Sequence, residues 1–127
     1  MSKILLVGMG GFIGAILRYV MSGAVQNLAH SIAFPYGTLV VNMAGCFLMG
    51  ICYHLVEIQA GLTAEMRLLL MVGLLGSFTT YSTFSSETLQ LVQDQRLMPA
   101  LLNIGSHIMI GLFAVWLGRF AIIAIRG

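Results

Sequence analysis

The sequence predicts an all-α membrane protein of four hydrophobic helices, and three observations carry that prediction. Of 127 residues, 59% are hydrophobic and 8% charged, and the mean hydropathy is +0.99. Soluble domains carry about 25% charged residues, and a fold this short leaves too much of its surface in water to hide so much apolar content. Lipid is the solvent that fits. Four apolar runs, at about 4–25, 38–56, 68–92 and 100–125, each have the length that a hydrocarbon core demands. They fill residues 1–127 as one domain and leave no room for a soluble one. The runs are continuous rather than alternating, which argues against a β-barrel.

The first run carries Gly8, Gly10, Gly11 and Gly14; Gly10 and Gly14 form a small-xxx-small face suited to close helix approach. It is too long, and too poor in small residues at a cleavage position, to read as a removable signal peptide. The loop to the second run ends in Phe34-Pro35-Tyr36-Gly37, aromatic and turn residues that suit a membrane interface. Cys46 and Cys52 lie in the second run without His or acidic residues at ligand spacing, and read as packed free thiols. Pro99 stands in the first turn of the fourth run, where a missing N–H matters little. Short loops make neighbouring runs antiparallel. Lys3, Arg67 and Arg126 then fall on one side and Arg96 and Arg18 on the other, with Arg119 near the first group. So even a distribution fits either one weakly specified orientation or insertion both ways. The net charge of +2 is scattered, which argues against a nucleic-acid partner.

The third run is apolar only in part. Gly76-Ser77-Phe78-Thr79-Thr80-Tyr81-Ser82-Thr83-Phe84-Ser85-Ser86-Glu87 is dense in hydroxyls that compete for backbone hydrogen bonds. It predicts a helix broken near the bilayer midplane, tolerated only where buried in protein or lining a wet path. The other reading is a continuous helix whose hydroxyls bond back one turn. Tyr81 and Phe84 share a face; they either pack or turn their electropositive edges to an anion. Asn42, one turn after Thr38, either ties helices together or donates to a passing anion. His107, on one face with Asn103, is a functional candidate because ionisable groups in spans usually are. Arg18 has three readings: anion recruitment, pairing with Glu87, or snorkelling to headgroups. There is no Ser-His-acid set, no H-E-x-x-H and no pair of intramembrane carboxylates, so the chain does not read as an enzyme.

Three motifs together resemble the CrcB/Fluc family of fluoride channels over essentially the whole chain: Gly-Gly-x-x-Gly-Ala-x-x-Arg at Gly10 to Arg18, Gly37-Thr38-Leu39-Val40-Val41-Asn42 with Gly45, and the hydroxyl-rich run from Gly76 to Glu87. The resemblance implies a multi-pass protein of the cell membrane, the inner membrane in bacteria. It implies an antiparallel, dual-topology homodimer embedded in lipid, with two pores per dimer. It implies passive efflux of fluoride from the cytoplasm, protecting against fluoride toxicity. A structural, untransported sodium ion is expected at the backbone carbonyls of Gly76 and Thr79. The pore residues implied are Thr38, Asn42, Tyr81, Ser82, Thr83, Phe84 and His107, with Arg18 and Glu87 as vestibule or structural charges. Two positions depart from the family pattern: Tyr81 stands for a phenylalanine, and Gly111 where relatives often carry serine. The rival classes are a proton-coupled antiporter, for which the first run lacks an intramembrane carboxylate, and a non-conducting scaffold, which predicts a plain third helix.

Overall fold

The computed structural model describes residues 2–126. Four helices long and apolar enough to cross a membrane run through it, Lys3–Ala29, Tyr36–Glu57, Ala64–Gln93 and Leu97–Arg126, so this is a multi-pass membrane protein. No strand occurs among the described residues. At 1.5 Å per residue the 27-residue first span is about 40 Å long, more than the roughly 30 Å hydrocarbon core, so it tilts or extends into the headgroups.

Three span ends lie three or more residues outside the apolar runs. The first span continues to Ala29 and closes on His30, which is in the left-handed conformation at φ 49°. The Gln26 side chain, too polar to count as apolar, is there a brace: its Nε2 donates to the Phe34 carbonyl at 3.1 Å and its Oε1 accepts from Gly37 N–H at 3.0 Å. The third span starts at Ala64, where Thr63 Oγ1 caps the helix by accepting from Met66 N–H at 3.2 Å. The fourth starts at Leu97, with Pro99 in its first turn.

The third span is the irregular one. Ala64–Arg67 is α-helical, Leu68–Leu75 winds as a π-helix, and Gly76–Phe78 returns to α. Thr79 (φ −87°, ψ 150°) and Thr80 (φ −148°, ψ 117°) are extended, and helix resumes over Tyr81–Gln93. Residues 64–78 are called the first limb below and Tyr81–Gln93 the second. The π-helical turns, which bond i to i+5 and are wider than α, have no counterpart in the sequence reading. They lie where backbone meets backbone. A Cβ on Gly10 would stand 2.1 Å from the Leu69 carbonyl oxygen, and one on Gly73 would stand 2.7 Å from that of Val7.

Two seams therefore organise the molecule. The first span packs along the first limb through Gly10, Gly14 and Gly73. The second and fourth spans pack through Gly50 and Gly118, where a Cβ would approach the Val115 and Phe47 carbonyl oxygens to 2.0 Å each. The second limb rests mainly on the fourth span. Glu57, at the end of the second span, pairs with Arg119 at 2.9 Å and His54 at 3.3 Å, so Arg119 belongs to the Lys3 side of the bundle. Cys46 and Cys52 are free thiols. Much of the outer surface is large and apolar. It includes Phe113, Trp116 and Phe120, which stack in sequence along the fourth span with centroids 5.7 and 5.4 Å apart.

Candidate functional site

The polar groups of the interior converge on the two extended threonines. A strand-like pair between two helical limbs leaves main-chain groups without their helical partners, and one side chain meets them. Asn42 is 7% exposed. Its Oδ1 accepts from Thr80 N–H at 2.9 Å and its Nδ2 donates to the Thr80 carbonyl at 3.2 Å. The same Nδ2 lies 3.1 Å from His107 Nε2, and His107 Nδ1 lies 3.0 Å from the Asn103 carbonyl. Asn42 thus holds both main-chain polar groups of Thr80 and one imidazole of the fourth span.

Thr80 also opens the second limb: its Oγ1 accepts from Thr83 N–H at 3.3 Å, as an N-cap should, and lies 3.1 Å from Ser82 Oγ. With Thr80 N–H given to Asn42 and Thr83 N–H to Thr80 Oγ1, the carbonyls of Gly76 and Thr79 receive no backbone N–H four residues on. Thr79 Oγ1 bonds back to the Leu75 carbonyl at 3.0 Å, and Thr88 Oγ1 to the Phe84 carbonyl at 2.7 Å. Asn103, fully buried, donates from Nδ2 to Thr88 Oγ1 at 2.9 Å.

Two cavities meet at this point, and Asn42 and Thr80 line both. The larger, 800 Å³, opens along the second limb and is walled by Thr79, Tyr81, Phe84, Ser85, His107 and apolar side chains. Tyr81 stands in it 80% exposed. Its ring centroid is 5.6 Å from that of Phe84, which is 4.3 Å from that of His107. The smaller, 330 Å³, is walled by Arg18, Ser22, Thr38 and Thr83. Thr38 Oγ1 donates to Glu87 Oε1 at 2.8 Å. Arg18 Nε and Glu87 Oε2 are buried without a partner, and Arg18 does not pair with Glu87.

The chain matches the family model described as CrcB-like protein, Camphor Resistance (CrcB), over residues 5–119. The chain belongs to the CrcB family. Curated CrcB-family relatives agree over nearly their full lengths. The chain is 49% identical over 121 residues to fluoride-specific ion channel FluC 1 of Methanosarcina acetivorans, covering 95% of this chain and 91% of that protein. It is 46% identical to fluoride-specific ion channel FluC of Shewanella woodyi, covering 94% of each. It is 44% identical to fluoride-specific ion channel FluC 3 of Methanosarcina barkeri, covering 94% and 89%.

Of the candidate residues read from this CrcB-family sequence, Asn42, Thr79, Tyr81, Phe84 and His107 share the larger cavity, and Arg18, Thr38, Asn42 and Thr83 the smaller. Gly76, Ser82 and Glu87 line neither; Glu87 joins through Thr38 and Ser82 through Thr80. Thr80 was the residue missed. Its only sequence signal is a threonine placed to cap a helix, and that is lost among its hydroxyl neighbours.

Proposed function

We propose that this CrcB-family chain is a fluoride-selective channel through which the anion leaves the cytoplasm passively. The family is one of ion channels, not enzymes. The observation that carries the reading is the junction at Asn42 and Thr80, a polar centre whose two residues line both cavities. A small, strongly hydrated anion crosses a membrane only where several modest donors replace its water shell without trapping it. The hydroxyls of Ser82 and Thr83, the amide of Asn42 and the ring edges of Tyr81 and Phe84 are donors of that strength. Thr38, Glu87 and His107 continue the polar path, and Arg18 draws anions to the smaller cavity. Because both Asn42 amide hydrogens already have partners, an ion passing there exchanges with an existing hydrogen bond.

In this reading the hydroxyl-rich run breaks the third helix near the bilayer midplane, and the functional unit is an antiparallel homodimer with two pores. Gly76 and Thr79 supply carbonyl oxygens that lack helical donors, the hard ligands that an alkali cation takes. They suit a structural sodium ion, which would hold the two copies together as a fixed positive charge. Undissociated hydrogen fluoride enters cells and ionises in a near-neutral cytoplasm. The membrane potential then favours exit of the anion by about 2.3 kcal/mol per 100 mV.

The test is fluoride release from loaded proteoliposomes, read with a fluoride electrode. Fast release without a proton gradient, and no matching release of chloride, is the expected result. Release that requires a proton gradient, or no release, would overturn the proposal.

A further inference from the structure

The hydrogen bonds around Asn42 fix more than its position. Its amide faces both main-chain polar groups of Thr80, with Oδ1 on N–H at 2.9 Å and Nδ2 on C=O at 3.2 Å. Turning the amide over would set N–H against N–H and oxygen against oxygen, so its orientation is determined. The Nδ2 group therefore presents a hydrogen to His107 Nε2, 3.1 Å away. That nitrogen must be the imidazole's acceptor and Nδ1 its donor. Independently, Nδ1 lies 3.0 Å from the Asn103 carbonyl, which can only accept. Both ends of the ring specify the same neutral tautomer.

From this geometry we infer that His107 is a positioning residue. As the Nδ1–H tautomer it holds the Asn42 amide on Thr80, and a proton on Nε2 releases that hold. The inference rests on the channel reading above. A protonated Nε2 would point its N–H at the Asn42 N–H, and the amide cannot turn to receive it without losing both Thr80 bonds. Extended backbone at Thr79 and Thr80 would then lose the side chain that satisfies it.

Few charges stand near the ring to oppose this. From the second span the larger cavity receives Cys46, and from the third, Tyr81. Arg18 of the first span faces Asn42 from the smaller cavity, and Glu87 is engaged by Thr38. No carboxylate bonds to His107 among the described residues. The Phe84 ring, 4.3 Å away, offers a face that favours an imidazolium; the opposing contact is the Asn42 N–H.

Two measurements on the full chain test the inference. The first is nitrogen NMR of the histidine-labelled protein, with the His107 signals identified by their loss in His107→Gln. Neutral His107 with hydrogen on Nδ1 is expected in the wild type, and loss of that signature in Asn42→Asp, whose carboxylate cannot donate to Nε2. An Nε2–H tautomer in the wild type overturns the inference. The second is fluoride release between about pH 8 and pH 5, where histidines titrate, corrected with protein-free vesicles. Wild-type flux should fall, approaching about tenfold per pH unit once protonation dominates. His107→Gln, which can accept from Asn42 but does not titrate, should give a flux independent of pH, whatever its level. A wild-type profile as flat as that of the variant overturns the positioning role. A wild type silent at every pH overturns the channel reading instead, and the NMR signature still judges the hydrogen-bond assignment.

Discussion

Gly45 faces the extended pair, and adding one methyl group there tests how closely Thr79 is held. A Cβ at Gly45 would lie 2.1 Å from Thr79 Cγ2, 3.3 Å from Phe78 Cδ1 and 3.6 Å from Thr79 Cβ. Carbon atoms pack at about 3.5–4.0 Å, so only the first contact is untenable. Thr79 cannot simply rotate its methyl away, because Oγ1 donates to the Leu75 carbonyl at 3.0 Å. Overpacking of this kind costs about 1–3 kcal/mol, and breaking the Thr79 hydrogen bond about 1 kcal/mol more. Alanine recovers about 1 kcal/mol through its better helix propensity. The expected net destabilisation of Gly45→Ala is therefore about 1–3 kcal/mol, with slower fluoride release. Thr79→Ser removes Cγ2 and keeps the hydroxyl, which leaves only tolerable contacts. The double variant should regain most of the lost stability and flux, a favourable coupling of about 1 kcal/mol or more. Thermal midpoints of the detergent-solubilised protein and release rates from proteoliposomes measure both. A Gly45→Ala protein as stable as the wild type, or a double variant no better than Gly45→Ala, would refute the reasoning.

Four further outcomes follow from the geometry. Phe84→Ile removes the ring between Tyr81 and His107 and should abolish fluoride release while the protein still assembles, judged by flux and gel filtration; wild-type flux would take that ring out of the path. Asn42→Leu leaves the half-buried Thr80 N–H and carbonyl without their side-chain partner and should lower stability by about 1–3 kcal/mol in all, read from the thermal midpoint. Gly118→Val drives a side chain into the Phe47 carbonyl, where a Cβ alone would stand 2.0 Å away; the yield of folded protein should collapse, and normal yield would mean that the seam gives way readily. Glu57→Gln removes an exposed ion pair with Arg119 and should shift stability by under about 1 kcal/mol, which a large drop in thermal midpoint would contradict.

The four spans were legible because hydrophobicity over about 20 residues is a local property, and no tertiary contact is needed to read it. Their ends were less so. Gln26 to Ala29 and Ala64 to Arg67 are helical outside the apolar runs because a side-chain brace and a threonine cap support them. The π-helical Leu68–Leu75 is ordinary aliphatic sequence apart from Gly73, and nothing local marks it; its widened turns lie against the glycine face of another helix. At the site, residue types were readable and partners were not. Asn42 stood out as an amide in lipid, but its two readings could be weighed only once Thr80, 38 residues away, was found to occupy it. Arg18 and Glu87 have opposite charges and no sequence signal to exclude a pair; Thr38 takes the carboxylate instead. Tyr81 and Phe84, three residues apart on one turn, needed only helix geometry to be placed together.

The glycine seams have a mechanical consequence. The first span and the first limb touch backbone to backbone, and so do the second and fourth spans. Neither pair can slide without forcing carbonyls into Cα atoms, so each behaves as a single stiff beam. The second limb rides with the fourth span, which leaves Thr79 and Thr80 as the short tether through which the third span passes from one beam to the other. A relative displacement of the beams would work on the torsions of those two residues, as it would on the loops at 30–35 and 58–63, and at the tether the Asn42 carboxamide is the strut that resists it.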